Sequence, residues 1–237
     1  MKKRTQQLCA LCGVFCSIGW LLGAWLAGFL PPPEPSMTPA EIGEIYRTNT
    51  NMLRLGFIIL GAGSCLYLPW SAAISVQMKR IEGENSPLTY TQLGMGAVFV
   101  WVFFIPVMIW LAAAYRPEET PDLILQRMND FGWLTFINPV ATIFVQGMAI
   151  GLAILQDKRK NPIFPRWFGY FNIWAVITYL PGILVPFFKD GIFAWDGLLA
   201  LWVPLVIFVF WMCAMSYFLL KAIDTQEEFS GANASSA

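Results

Sequence analysis

Apolar positions in this chain do not alternate with polar ones at the period of a strand. They gather into six runs, at about Leu8–Leu30, Leu53–Val76, Leu93–Tyr115, Gly132–Leu155, Trp167–Phe188 and Gly197–Ile223, each with almost no ionisable side chain. A helix needs roughly 20 apolar residues to cross a hydrocarbon core about 30 Å thick, against about 9–11 for a barrel strand. Hydrocarbon offers backbone amides no water, so a crossing segment is either a helix or part of a closed barrel. The length of the runs and their lack of strict alternation select helices. The pattern therefore predicts an all-α fold, a polytopic transmembrane bundle of six helices. Residues 1–225 form one membrane domain, followed by a small polar tail at 226–237 expected to be disordered.

The polar connections carry their own signals. Pro31, Pro32, Pro33 and Pro35 make a stiff lead out of the first run. Thr38, Pro39 and Glu41 then spell a helix start, with a capping hydroxyl, a proline at the first helical position and a glutamate three residues after the cap. Ile42, Ile45, Tyr46 and Met52 fall on one face, opposite Glu41, Glu44 and Arg47. The segment reads as a short amphipathic helix at the outer surface in the first outer loop. A second brief helix is expected within Arg116–Asp130, starting at Thr120-Pro121-Asp122. Pro87, Gly94 and Pro106 match Pro162, Gly169 and Pro181 at identical intervals, a hint that spans two and three are duplicated in spans four and five.

Charge adds an orientation. Lys2, Lys3, Arg4, Lys79, Arg80, Lys158, Arg159, Lys160, Arg166 and Lys221 fall in alternate compartments, and Arg47, Arg54, Arg116, Arg127 and Lys189 in the others. Basic residues favour the cytoplasmic side, so both termini are expected in the cytoplasm of an inner-membrane protein. A cleaved leader is not expected, because the first run is too long for its apolar core and lacks a small-x-small cleavage site. The net charge of zero conceals this asymmetry, and no basic cluster suggests a nucleic-acid partner. Charged residues make up 13% of the chain, against about 25% in soluble domains, which agrees with a lipid solvent.

Chemistry is constrained most by an absence: the chain has no histidine. That excludes histidine-ligated haem and Ser-His-Asp hydrolysis, each of which needs an imidazole. Cys9, Cys12 and Cys16 share one helix face, yet Cys9 and Cys16 stand about 10 Å apart along the axis, too far to share an ion. They read as small interface residues, and no cofactor or metal is expected. Gly23, Ala27, Gly61, Cys65, Gly147 and Gly151 give small-xxx-small spacings suited to close helix contacts.

Polar residues within the runs are the candidate site. Thr135, Asn138, Thr142 and Gln146 recur at three- and four-residue spacing on the fourth run, with Ser64, Tyr67, Ser71 and Ser75 on the second and Asn172 and Tyr179 on the fifth. Polar groups at this depth face the bundle interior or a cavity. They would either bond helix to helix or line a pocket for an apolar small molecule or lipid. Pro69, Pro106, Pro139, Pro181, Pro186 and Pro204 place a proline in every run but the first. Trp133, Trp167 and Trp195 lie where interfacial anchors are expected.

Three functions fit. The first is a carrier or accessory subunit handling an apolar small molecule or lipid. The second is a structural or assembly component, bound to a membrane protein partner or further copies of itself. The third is a histidine-free enzyme using Asp130, Asp190 and Asp196 at the outer surface, with Arg54 and Arg116 nearby.

Overall fold

The structure is a computed structural model that describes residues 3–226 in full and, beyond Gln226, the backbone of the last helix alone. The tail expected to be disordered at 226–237 lies, past Gln226, outside the fully described residues. In chain order the α-helices are α1 (Lys3–Leu26), α2 (Pro39–Thr48), α3 (Thr50–Cys65), α4 (Tyr67–Glu82), α5 (Pro87–Tyr115), α6 (Asp122–Ile137), α7 (Val140–Gln156), α8 (Arg166–Thr178) and α9 (Val203–Ala234). No strand occurs among the described residues. Six stretches are long and apolar enough to cross a membrane: Lys3–Leu26, Thr50–Glu82, Pro87–Tyr115, Asp122–Gln156, Arg166–Phe187 and Leu198–Gln226.

Four of these six are irregular, each at a proline. Proline cannot donate to the carbonyl four residues back, and its ring clashes with that carbonyl. Pro69 therefore breaks the second stretch near Cys65, and the Leu66 amide closes instead on Gly63 O at 3.0 Å. Pro139 separates α6 from α7 at Asn138. Pro181 and Pro186 lie in a 3-10 helix (Leu180–Phe187) that continues α8. A π-helical turn (Leu198–Trp202) precedes α9, just ahead of Pro204. Pro106 alone leaves its helix continuous.

Helix α5 is central, packed on α3, α4, α6 and α7, while α1 packs on α3, α4 and α9. Glycine permits the closest of these approaches. A Cβ on Gly23 would stand 2.6 Å from Gly56 O and 2.7 Å from Leu60 N, both backbone atoms. Gly147 and Gly151 play the same part against Val176, Ile173 and Gly169 of α8. Cys65 differs from its expected role: it is exposed, as is Cys213, and only Cys16 of the α1 set is fully buried.

The start of α1 meets α4 and the later part of α9 at one end of the bundle. Lys3 pairs with Asp224 at 3.2 Å, Gln77 bonds Gln6 at 2.9 Å, and Arg80 reaches Ala222 O at 3.2 Å. Arg159 donates to Arg80 O at the same end. At the opposite end Arg47 holds Asp122 at 2.5 Å and the carbonyls of Pro117 and Thr120 at 3.1 Å each. These bonds fasten α2 to α6, with Ile42 and Tyr46 buried and Glu41 and Glu44 exposed.

The α2 capping box forms as its sequence specifies, with Thr38 N–H donating to Glu41 at 2.7 Å. Met52, expected on the α2 face, sits instead in the first turn of α3 and is exposed. The brief helix expected within Arg116–Asp130 is not separate. Asp122 opens α6, which runs on unbroken to Ile137 because no proline intervenes before Pro139. The matched proline intervals occupy unlike structures: Pro87 opens α5, whereas Pro162 lies in the loop ahead of α8.

Candidate functional site

Three of the four proline-broken stretches converge at their breaks on a cavity of about 170 Å³. Its wall takes Pro139 and Val140 from the α6–α7 break, Gly182 from the 3-10 helix, and Ala200, Leu201 and Pro204 from the turn into α9. Irregular segments cannot interdigitate as two continuous helices do, and the space between them stays open. The rest of the wall is largely aromatic. Trp20 stacks on Phe103 with ring centres 3.8 Å apart, Phe57 on Trp110 at 5.2 Å, and Phe29 on Trp133 at 5.6 Å. No charged residue among the described residues lines it. Interiors rarely leave voids much larger than a water molecule, and an apolar space of about 150 Å³ accepts a benzene ring.

The polar residues singled out in the sequence mostly lie elsewhere. Tyr67 donates to Gln146 Oε1 at 2.7 Å, and Gln146 Nε2 reaches Ser71 Oγ at 3.5 Å. Ser71 Oγ also accepts from Gln92 at 2.7 Å, and Gln92 in turn accepts from Ser75. This chain of bonds links α4, α5 and α7 in the protein interior. Ser64 accepts from Trp20 Nε1 at 2.8 Å and donates to Leu60 O. Asn172 accepts from Trp211 Nε1 at 2.8 Å. Thr135 and Thr142 bond carbonyls of their own segment. Asn138 donates to Ile183 O at 3.2 Å, joining the α6–α7 break to the 3-10 helix. Of these ten residues, Tyr179 alone lines the cavity.

Gln92 was not singled out because it stands one residue before the third apolar run. Trp211 and Ser216, which bonds Trp70 at 3.0 Å, carry no spacing signal of their own. The cavity wall itself was legible only as surplus tryptophan and phenylalanine.

Two polar atoms of the lining residues have no partner among the described residues. Trp20 Nε1 is bonded to Ser64, and Trp110 Nε1 reaches Asn129 O at 3.4 Å. Trp133 Nε1 and Tyr179 Oη are buried and have no hydrogen-bond partner among the described residues.

The outer carboxylates do not assemble into a comparable site. Asp130 lies 3.8 Å from Arg127, and Asp190 is exposed. Partial burial, with Glu34 nearby, raises the Asp196 carboxyl above the ordinary range. Arg54 is engaged in capping α5, donating to Ala114 O at 2.9 Å and Tyr115 O at 3.0 Å, while Arg116 faces Glu119 at 3.8 Å. Comparisons with protein-family models, curated proteins and solved structures found no match.

Proposed function

We propose that this protein is a carrier or accessory subunit of the cell's inner membrane that takes an apolar small molecule or lipid into its aromatic cavity. Both termini and the Lys158–Arg166 loop face the cytoplasm in this reading. Six apolar helices are compatible with an integral membrane protein. Large apolar side chains such as Phe15, Trp101, Val206 and Phe210 remain exposed around the bundle, a surface that suits lipid far better than water.

The observation that carries the proposal is the cavity. Side chains around an unfilled apolar space of about 170 Å³ forgo packing contacts there. A guest recovers that loss. The absence of charge from the lining favours facilitated movement or custody of a neutral guest over ion-coupled pumping. An assembly role has less support, since the apolar face of α2 is covered by α6 and the glycines of α1 and α3 face one another.

The test is mild extraction followed by mass spectrometry of whatever remains bound, for the natural chain and for Ala200→Phe, which fills the cavity. The smaller Ala24→Leu is a second filler should the first misfold. The proposal expects a near-stoichiometric apolar molecule that the fillers lose while keeping their helical content. Equal lipid content in all three would remove the proposal.

A further inference from the structure

Aromatic residues recur on α8 at Trp167, Tyr170 and Trp174, three or four apart, so they share one helix face. All three are more than half exposed, as are Phe210 and Tyr217 on the neighbouring α9. Beneath them the two helices are joined by rings that do pack. Phe218 lies 5.7 Å from Trp167 and 4.8 Å from Phe168, and Phe171 lies 5.4 Å from Phe210. The seam between α8 and α9 therefore presents an aromatic strip facing away from the bundle. Rings left uncovered in this way are costly in water and at home in lipid.

Charge gathers at one end of the strip. Arg166 precedes Trp167, and Lys221 stands one turn beyond Tyr217 on the same face of α9. Both are exposed, and neither pairs with a carboxylate among the described residues. Arg80 brings a third cation beside Lys221 by donating to Ala222 O at 3.2 Å. Most acids at this end are engaged. Asp224 pairs with Lys3 at 3.2 Å, Asp157 pairs with Arg159 at 3.2 Å, and Glu82 accepts from the Leu88 and Thr89 amides. Only Glu84, in the turn after α4, has no partner among the described residues. A positive excess remains where the aromatic strip ends.

The strip also carries donors that lack acceptors. Trp167 Nε1 and the hydroxyls of Tyr170 and Tyr217 make no hydrogen bond among the described residues. The polar boundary of a bilayer is rich in ester and phosphate oxygens, and tryptophan and tyrosine favour that depth.

We propose that the α8–α9 seam binds one anionic phospholipid, an acyl chain lying along the aromatic strip and the phosphate between Arg166 and Lys221. This rests on the reading of the chain as membrane-spanning and is independent of the cavity. Arginine grips a phosphate through two parallel N–H donors, and lysine reaches one on its flexible stem. A zwitterionic lipid brings a cation of its own, which Arg166, Lys221 and Arg80 repel. A free phosphate meets the cations but leaves the strip uncovered.

Native mass spectrometry of the full chain in detergent reads the bound lipid directly, with phosphatidylglycerol and phosphatidylcholine of identical chains competing in equal amounts. The natural chain should retain phosphatidylglycerol preferentially. Arg166→Gln/Lys221→Gln should cut that preference by roughly 5-fold for each charge removed. Lys158→Gln/Lys160→Gln removes the same charge from the loop before α8 and should keep most of the preference. Equal retention of the two lipids by the natural chain overturns the site. So does a loop variant that loses as much preference as the seam variant, because diffuse charge then suffices. Trp167→Leu should weaken both lipids together, and unchanged retention of both would remove the strip from the site. Phosphate is also added against chloride at matched ionic strength. Displacement by phosphate alone would mark a free-anion site and overturn the lipid assignment. Circular dichroism checks that every variant keeps its helical content. A chain that stays monodisperse once detergent is diluted away would instead bring down the membrane-spanning reading.

Discussion

The Tyr67 hydroxyl donates to Gln146 Oε1 at 2.7 Å, tying the second apolar stretch to the fourth just beyond the break that Pro69 introduces. Both side chains are fully buried, so the bond has no competing water. Gln146→Leu would strand the Tyr67 hydroxyl and should destabilise the fold by about 1–3 kcal/mol. The double variant Tyr67→Phe/Gln146→Leu removes both partners and should cost less than the sum of the single changes. Denaturant unfolding in detergent, read as a double-mutant cycle, measures the difference; simple additivity would show that the pair is not coupled.

Close packing of α1 on α3 makes a second prediction, in which two glycines behave oppositely. Gly23→Ala drives a Cβ into backbone atoms of Gly56 and Leu60, which have no rotamer to yield, and should cost about 1–3 kcal/mol. Gly94→Ala in α5 meets nothing within 4 Å and should gain up to about 1 kcal/mol from helix propensity. Thermal unfolding of the two variants side by side checks the contrast.

The cap of α2 gives a pH dependence with a definite sign. Hydrogen bonds from the Thr38 backbone and side chain hold the Glu41 carboxyl below its ordinary value. A lowered carboxylate contributes stability above its unfolded value, about 4.3 for glutamate, and loses it as pH falls through the folded value. Protection of the first α2 amides, corrected for the intrinsic exchange rate, should therefore be flat above roughly pH 5 and fall below about pH 4. In Glu41→Gln this loss of protection with pH should vanish. Because Glu41 is exposed, the loss stays local to α2.

Much of the architecture was readable in the chain, for reasons that the residues make plain. The six apolar runs appear as six apolar helical stretches because hydrocarbon-length apolar segments have few other ways to satisfy their backbones. The Thr38–Glu41 box is a local code and is read locally. The cavity was hidden because its walls are assembled from Phe29, Trp110, Trp133 and Ala200, four separate segments that no period along the chain connects. The polar stripe of Gln146, Ser71 and Tyr67 stood out in the sequence, yet these residues spend their hydrogen bonds on one another. Tyr179 belonged to the same set, and only three-dimensional placement separates it from the others. The extent of each helix break was likewise illegible. Pro106 and Pro139 look alike in sequence, but one leaves its helix continuous and the other divides it.

Orientation has its own test. A membrane-impermeant thiol reagent is applied to Glu118→Cys and Lys160→Cys, each in a background with the five native cysteines replaced. Glu118→Cys should label in intact cells and Lys160→Cys only after permeabilisation. The reverse pattern would invert the protein in the membrane and leave the packing argument untouched.

Density from the protein held in its own lipid goes to the heart of the matter: whether something other than protein fills the space where the broken helices meet. The expected map shows a compact feature enclosed by Phe103, Trp110, Ala200 and Phe208. A map in which those side chains close on one another, or in which the space holds nothing, would contradict the account.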